Sequence, residues 1–150
     1  MIKIKANLKK RVYATILDYA LVSLSTVAYL LFFGEYDGLS NYTVTGLKAC
    51  VIPIVWFIYF VIIEATYGAT LGYKSFNLKV LTVKREEVEF SQALRRHLMD
   101  PFDILCYGIP AFIAIKFSEK HQRLGDMLAG TIVIDISDPE QQPVREKFSI

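Results

Sequence analysis

The sequence predicts an all-α integral membrane protein with two long spanning helices, a third short helix or re-entrant helical hairpin, and a small cytoplasmic β element. Three observations carry that prediction. Arg11 to Phe33 is apolar or small after its basic head, with one acid, Asp18, inside it. A second apolar run covers Val44 to Ile63, centred on CVIPIVWFIYFVII. About 20 such residues cross a hydrocarbon core of ~30 Å. Third, FNLKVLTV and AGTIVIDI are β-branched and alternating, as short strands are.

Composition narrows the function classes. With 150 residues, 53% of them hydrophobic, the chain has room for one membrane unit with a small polar part. Mean hydropathy of +0.35 is high for a soluble globule and comes from concentrated blocks. A net charge of +2 makes no case for a nucleic-acid partner; the lipid bilayer is the expected one. Cys50 and Cys106 sit in apolar stretches without metal-type spacing, so lipid- or core-facing thiols are expected, and no cofactor or metal.

The chain opens with a basic lead-in, residues 1–11, whose Lys3, Lys5, Lys9, Lys10 and Arg11 place the N-terminus in the cytoplasm. The apolar run that follows is too long for a signal h-region, contains Asp18 and lacks an A-x-A site, so it is expected to remain as an anchor. Seven residues separate Arg11 from Asp18. At ~100° per residue they share one stripe, ~10 Å apart along the axis. That stripe continues through Ala14, Leu21, Ser25 and Ala28, mostly small or polar, and is therefore expected to face other helices rather than lipid. An ionised acid at mid-membrane costs ~2.5–3.5 kcal/mol on insertion scales. Asp18 is thus either a proton or cation site, or a hydrogen-bonded or Arg-paired acid that locks helix packing.

GEYDGLSNYTVTGLK, residues 34–48, is a turn-rich outer loop with one basic residue; its Asn41-Tyr42-Thr43 matches a glycosylation pattern that nothing else supports. In the second span Pro53 is expected to kink the helix. Trp56, Tyr59 and Tyr67 either mark interfaces or pack, packing being the better account of Trp56. Glu64 ends the span at about the depth of Arg11, as a partner for it or as an exposed boundary acid. TYGATLGYKS then reads as a close-packed, glycine-broken turn; its glycines do not have P-loop spacing.

The strand FNLKVLTV and the polar turn KREEVE lead into FSQALRRHLMD, which reads as a cationic amphipathic helix for the membrane surface, Arg95 and Arg96 displaced from its apolar side. Pro101 to Phe117 is short for a span and broken by Gly108 and Pro110. Basic flanks on both sides fit a hairpin that dips and returns, and a single crossing remains the alternative. AGTIVIDI is the natural partner of FNLKVLTV, and pairing requires both on one side. His97 and His121 are isolated and read as solvated surface histidines. Ser23 and Ser25 are expected to bond to backbone carbonyls or partner helices.

Three pieces together resemble one family. Arg11 with Asp18 in the first span, ATLGYKSFNLKVL after the second, and QRLGDMLAGTIVI near the end are similar to the RDD family of small integral membrane proteins. Its name refers to one arginine and two aspartates, which would here be Arg11, Asp18 and Asp126. The resemblance covers roughly residues 8 to 136. KREEVE stands where the family frequently has a glycine-bearing turn. The resemblance implies a membrane protein found mainly in bacteria and no common biochemical activity. The chain is thus divided into an RDD-like membrane domain, 1–136, and a tail, 137–150, whose polar, Pro-containing SDPEQQPVREKFSI reads as flexible.

Asp126 supports two readings. With Asp18 it brackets Arg11 in a buried ionic cluster at the cytoplasmic end, Glu64 nearby; or it caps a turn or short helix beginning at Met127. The candidate polar core or ion site is therefore Arg11, Asp18, Asp126 and Glu64. No nucleophile–base arrangement is visible, so no enzyme is expected. The expected protein is a multi-pass protein of the cell (inner) membrane, working as a homo-oligomer or with a membrane-protein partner. Its role is then the transport of a small ion or solute or, alternatively, that of a scaffold or assembly factor.

Overall fold

In a computed structural model, residues 4–36, 38 and 41–141 are described, with backbone alone for 104–107. The polar stripe of the first span fixes the architecture. Helix α1, Leu8–Phe33, buries only Arg11, Ala14 and Asp18. Leu24, Val27, Leu31, Phe32 and Phe33 face outward, as lipid-facing side chains do. The stripe is buried only along the N-terminal half of α1: Leu21 is 39% exposed, and Ser25 is exposed and donates to the Val22 carbonyl at 2.8 Å.

A short antiparallel hairpin follows, β1 (Glu35–Tyr36) against β2 (Tyr42–Thr43). The second apolar helix runs from Gly46 to Tyr67, and among the described residues it and α1 are the two helices long and apolar enough to cross a membrane. It is irregular: a 3-10 turn over Gly46–Cys50, α2 over Val51–Phe57, a π segment over Ile58–Ile62, and α3 over Ile63–Tyr67. Pro53 lies in the first α-helical turn after the 3-10 segment, at the point where the helix changes its hydrogen-bond pattern. The π segment is the larger departure, and such bulges cluster at functional positions. Trp56 packs against Phe60 and meets the His97 ring edge-on.

Beyond Gly68 the chain turns into α4 (Leu71–Ser75), then β3 (Leu78–Thr82), α5 (Phe90–Leu98), α6 (Asp100–Phe117), α7 (Leu124–Ala129) and β4 (Thr131–Asp135). The two strands predicted to pair do so, antiparallel, in the register Leu78↔Asp135 through Thr82↔Thr131. Leu78, Val80 and Val133, with Val61, Val88 and Ala93, belong to the larger buried core, and Leu81, Ile132 and Ile134 form a second, smaller one.

Three expectations are corrected. Helix α5 is not a surface helix with its cations outward: it buries Ala93, Arg96 and His97 and leaves Phe90 and Leu98 exposed. The spacing 93, 96, 97 is one helical face, and that face is polar because it meets buried acids. His97 is accordingly no solvated histidine, and the His121 ring bonds to the Ile115 carbonyl at 3.0 Å. The polar tail begins as a tethered segment, in which Lys5 pairs with Asp138 at 2.6 Å and buried Gln141 bonds to Asn7 at 2.8 Å; residues 142–150 lie outside the described residues. The expectation for the Cys106 thiol also falls on a side chain outside the description.

Helix α6 changes course at Gly108, whose φ of +84° is left-handed and suits glycine, two residues before Pro110. Asp103 and Ile115, on either side of that break, border the same cleft of about 370 Å³ against α1.

Candidate functional site: two buried carboxylates

Asp18 points between the two long helices and the turn that follows them. One carboxylate oxygen accepts the Tyr59 hydroxyl at 2.6 Å and the Gly72 amide at 2.7 Å; the other accepts the Thr70 hydroxyl at 2.6 Å. All three donors are neutral. Thr70 also N-caps α4, accepting from the Tyr73 amide at 3.3 Å. Gly72 is required by proximity: a Cβ there would collide with the Ala14 carbonyl and lie 2.7 Å from the Asp18 carboxyl. The turn read from ATLGYKS is thus the wall of the Asp18 site.

Asp126 sits in a different environment. Its Oδ2 pairs with Arg11 Nη2 at 2.5 Å and accepts the Arg123 amide at 3.1 Å. Its Oδ1 faces Arg96 Nε at 3.2 Å and Arg123 Nε at 3.6 Å. Burial opposes its ionisation, but the guanidiniums of Arg96, Arg11 and Arg123 outweigh that and hold the carboxyl well below its usual range. Both expectations for Asp126 are partly met, since it belongs to an ionic cluster and also closes the first turn of a helix. That helix begins at Leu124, not Met127.

The cluster continues beyond the expected residues. Arg96 Nε lies 3.6 Å from Glu64 Oε1, and His97 bridges Glu64 at 3.2 Å and Asp100 at 2.7 Å. Arg123 reaches Asp100 at 2.9 Å and Asp103 at 3.6 Å. Asp103 in turn accepts the Leu124 and Gly125 amides, each at 3.0 Å. Burial opposes the His97 imidazolium, yet Glu64 and Asp100 overcome it and raise its pKa above the ordinary 6.5. With His97 charged, four cations (Arg11, Arg96, His97, Arg123) balance four carboxylates (Glu64, Asp100, Asp103, Asp126).

The expected core therefore divides. Arg11 and Asp126 meet. Asp18 pairs with neither, and Glu64 partners Arg96 and His97 rather than Arg11. The sequence reasoning missed Arg96, His97, Asp100, Asp103 and Arg123. A signal was present: Asp100 stands four residues after Arg96 and three after His97, and Asp103 three further on, a polar helical stripe like that of Arg11 and Asp18. Among the described residues no group of His, Cys, Asp and Glu is placed to hold a metal ion.

Comparison with known proteins returned a family and nothing finer. No curated protein and no solved structure matches the chain. The model of the RDD family matches residues 5–130, a stretch that includes both buried carboxylates and every arginine of the cluster. The chain, with its two membrane-length helices, belongs to the RDD family.

Proposed function

We propose that this is a multi-pass protein of the cell (inner) membrane that works as a homo-oligomer and moves a small ion or solute, with Asp18 as the charge-bearing group. One observation carries the reading: Asp18 is buried within the first membrane-length helix and held by neutral donors alone, while the arginine on its own stripe is committed to Asp126. An acid serving only to lock helices would gain more from that arginine. Two spanning helices enclose no pathway, so several copies are needed, and the outward Leu24, Val27, Ile54 and Ile58 supply faces for them. The role is non-catalytic.

The proposed orientation places the N-terminus, β3 and β4 in the cytoplasm. Pairing of β3 with β4 supports an even number of crossings between them, so that α6 dips and returns at Gly108 instead of crossing once. Lys74, Lys79, Lys84 and Arg85 before α6, and Lys120 and Arg123 after it, favour the inner side for both flanks. Cysteine-accessibility labelling after Asp135 tests this; labelling from the outer side alone would overturn it.

The transport reading is tested by ion flux in proteoliposomes, wild type against Asp18→Asn. Loss of flux is expected in the variant, and equal flux would remove the proposal. A second reading, a scaffold or assembly factor, is favoured by the exposed Phe90 and Leu98 of α5 and Met127 and Leu128 of α7. Affinity capture from gently solubilised membranes checks it, and reproducible recovery of the protein alone would count against it.

A further inference from the structure

Between the Asp18 enclosure and the ionic cluster lies a second cavity, of about 10 Å³. It is lined by Asp18 and Thr70 on one side and by Glu64, Arg96, His97 and Asp100 on the other. Ten to fifteen Å³ measured in this way is roughly the space of one water molecule. Its walls carry polar atoms without a hydrogen bond: both oxygens of Glu64, Nη1 and Nη2 of Arg96, Nε2 of His97 and Oδ1 of Asp100. The closest charged contacts of these groups, Arg96 Nε to Glu64 Oε1 at 3.6 Å, His97 Nε2 to Glu64 Oε2 at 3.2 Å and Arg123 Nη2 to Asp100 Oδ1 at 2.9 Å, are ion pairs without hydrogen-bond geometry, while the Arg96 guanidinium stacks over the Tyr73 ring at 5.3 Å. Glu64 and Arg96 are 0% exposed, so bulk water does not satisfy them.

The mixture of orphans identifies the ligand class. A cation would face two guanidiniums, Arg96 and Arg123, and an anion would face Glu64, Asp100 and Asp18. Only a neutral species that both donates and accepts suits carboxylate oxygens and guanidinium hydrogens together. We propose that the cavity binds a single water molecule, which joins the Asp18 carboxylate to the cluster and relays a proton between Asp18 and His97. In that step the imidazolium N–H gives its proton to the water oxygen as the water gives one of its own to Asp18. Neutral imidazole, neutral acid and water result, and the reverse step restores the ions. This deepens the transport reading, for it names what connects the charge-bearing group to the cytoplasmic side.

The test is infrared spectroscopy of the full chain in lipid nanodiscs, comparing ordinary water with oxygen-18 water. A narrow O–H band of an internal water, moving to lower wavenumber with the heavier oxygen, is expected. Glu64→Gln and Asp18→Asn should each displace that band, whereas Lys79→Ala, beyond the cavity, should leave it in place. Absence of an isotope-sensitive band in the wild type, which needs no variant to fold, overturns the inference. A band displaced by Glu64→Gln but not by Asp18→Asn overturns the relay. Flux measured on the same preparations separates the two ideas: a missing band with Asp18-dependent flux refutes the water alone, and a band without Asp18-dependent flux refutes transport alone.

Discussion

Asp18 and Asp126 are both buried, at 2% and 0% exposure, and each fixes a remote segment against α1, yet they are satisfied by opposite means. Three uncharged donors hold Asp18; three guanidiniums surround Asp126. Charge-assisted contacts are roughly twice as strong as neutral ones, and removing one partner of a buried ion pair strands the others. The difference teaches that burial alone does not make a carboxyl permanent. Asp126 is tied to its charge by its neighbours, whereas no cation ties Asp18 to its own.

The comparison is broken most forcefully at Asp126. Asp126→Asn leaves Arg11, Arg96 and Arg123 crowded without their shared acid, and a loss of about 3–5 kcal/mol is expected, as for broken buried pairs. Unfolding in mixed micelles measures it, and a loss under about 1 kcal/mol would mean that Asp126 is not the centre of the cluster. Gly72→Ala attacks the other site through shape, pressing a methyl group into the Ala14 carbonyl and the Asp18 carboxyl. Overpacking of this kind costs about 1–3 kcal/mol. The same titration checks it, and an unchanged midpoint would show that the turn yields easily.

How much of this the sequence disclosed follows from the range of the interactions. The two spans and the strand pair were legible because apolar length and alternation are local properties, and so was Arg11 with Asp18, seven residues apart on one helix. Asp126 entered through the resemblance, not through any local pattern. The destination of each polar group was not legible. The arginine of the stripe bypasses Asp18 for an acid 115 residues later, and Glu64 is taken by Arg96 and His97. Helix α5 misled for a physical reason: cations on an amphipathic helix ordinarily seek water, but here the acids of the protein interior replace it. Arg96 stands beside Arg95 in sequence, yet only Arg96 is buried.

Asp18→Asn sharpens the comparison with a smaller change. The amide keeps the shape and one acceptor oxygen, but its NH2 must face either the Thr70 hydroxyl or the Tyr59 hydroxyl and Gly72 amide, which need an acceptor. Unmatched buried groups of this kind cost about 1–3 kcal/mol, with a value below that of Asp126→Asn expected in the same micelles. A larger loss at Asp18 than at Asp126 would reverse the argument, because the neutral enclosure would then be the stronger of the two.

The smallest effect expected is a pH dependence that belongs to one side of the comparison alone. His97 faces Glu64 from the second long helix and Asp100 from α6, with Phe60 against its ring and Arg96 of its own helix lining the same cavity. Burial opposes its charge and the two acids more than compensate, so its folded pKa lies above 6.5. A raised pKa means stabilisation fully present below pH 6.5 and lost as pH climbs through the folded value, after which three arginines face four carboxylates. One proton limits the slope to about 1.4 kcal/mol per pH unit. Asp126 does not obscure this, because its lowered pKa places its own loss of stability in the acid range, below 3.8. Unfolding midpoints followed from pH 6 upward should therefore fall in the wild type and flatten in His97→Gln. A slope that survives in His97→Gln would assign the titration elsewhere, and the four-against-four balance of the cluster would have to be abandoned.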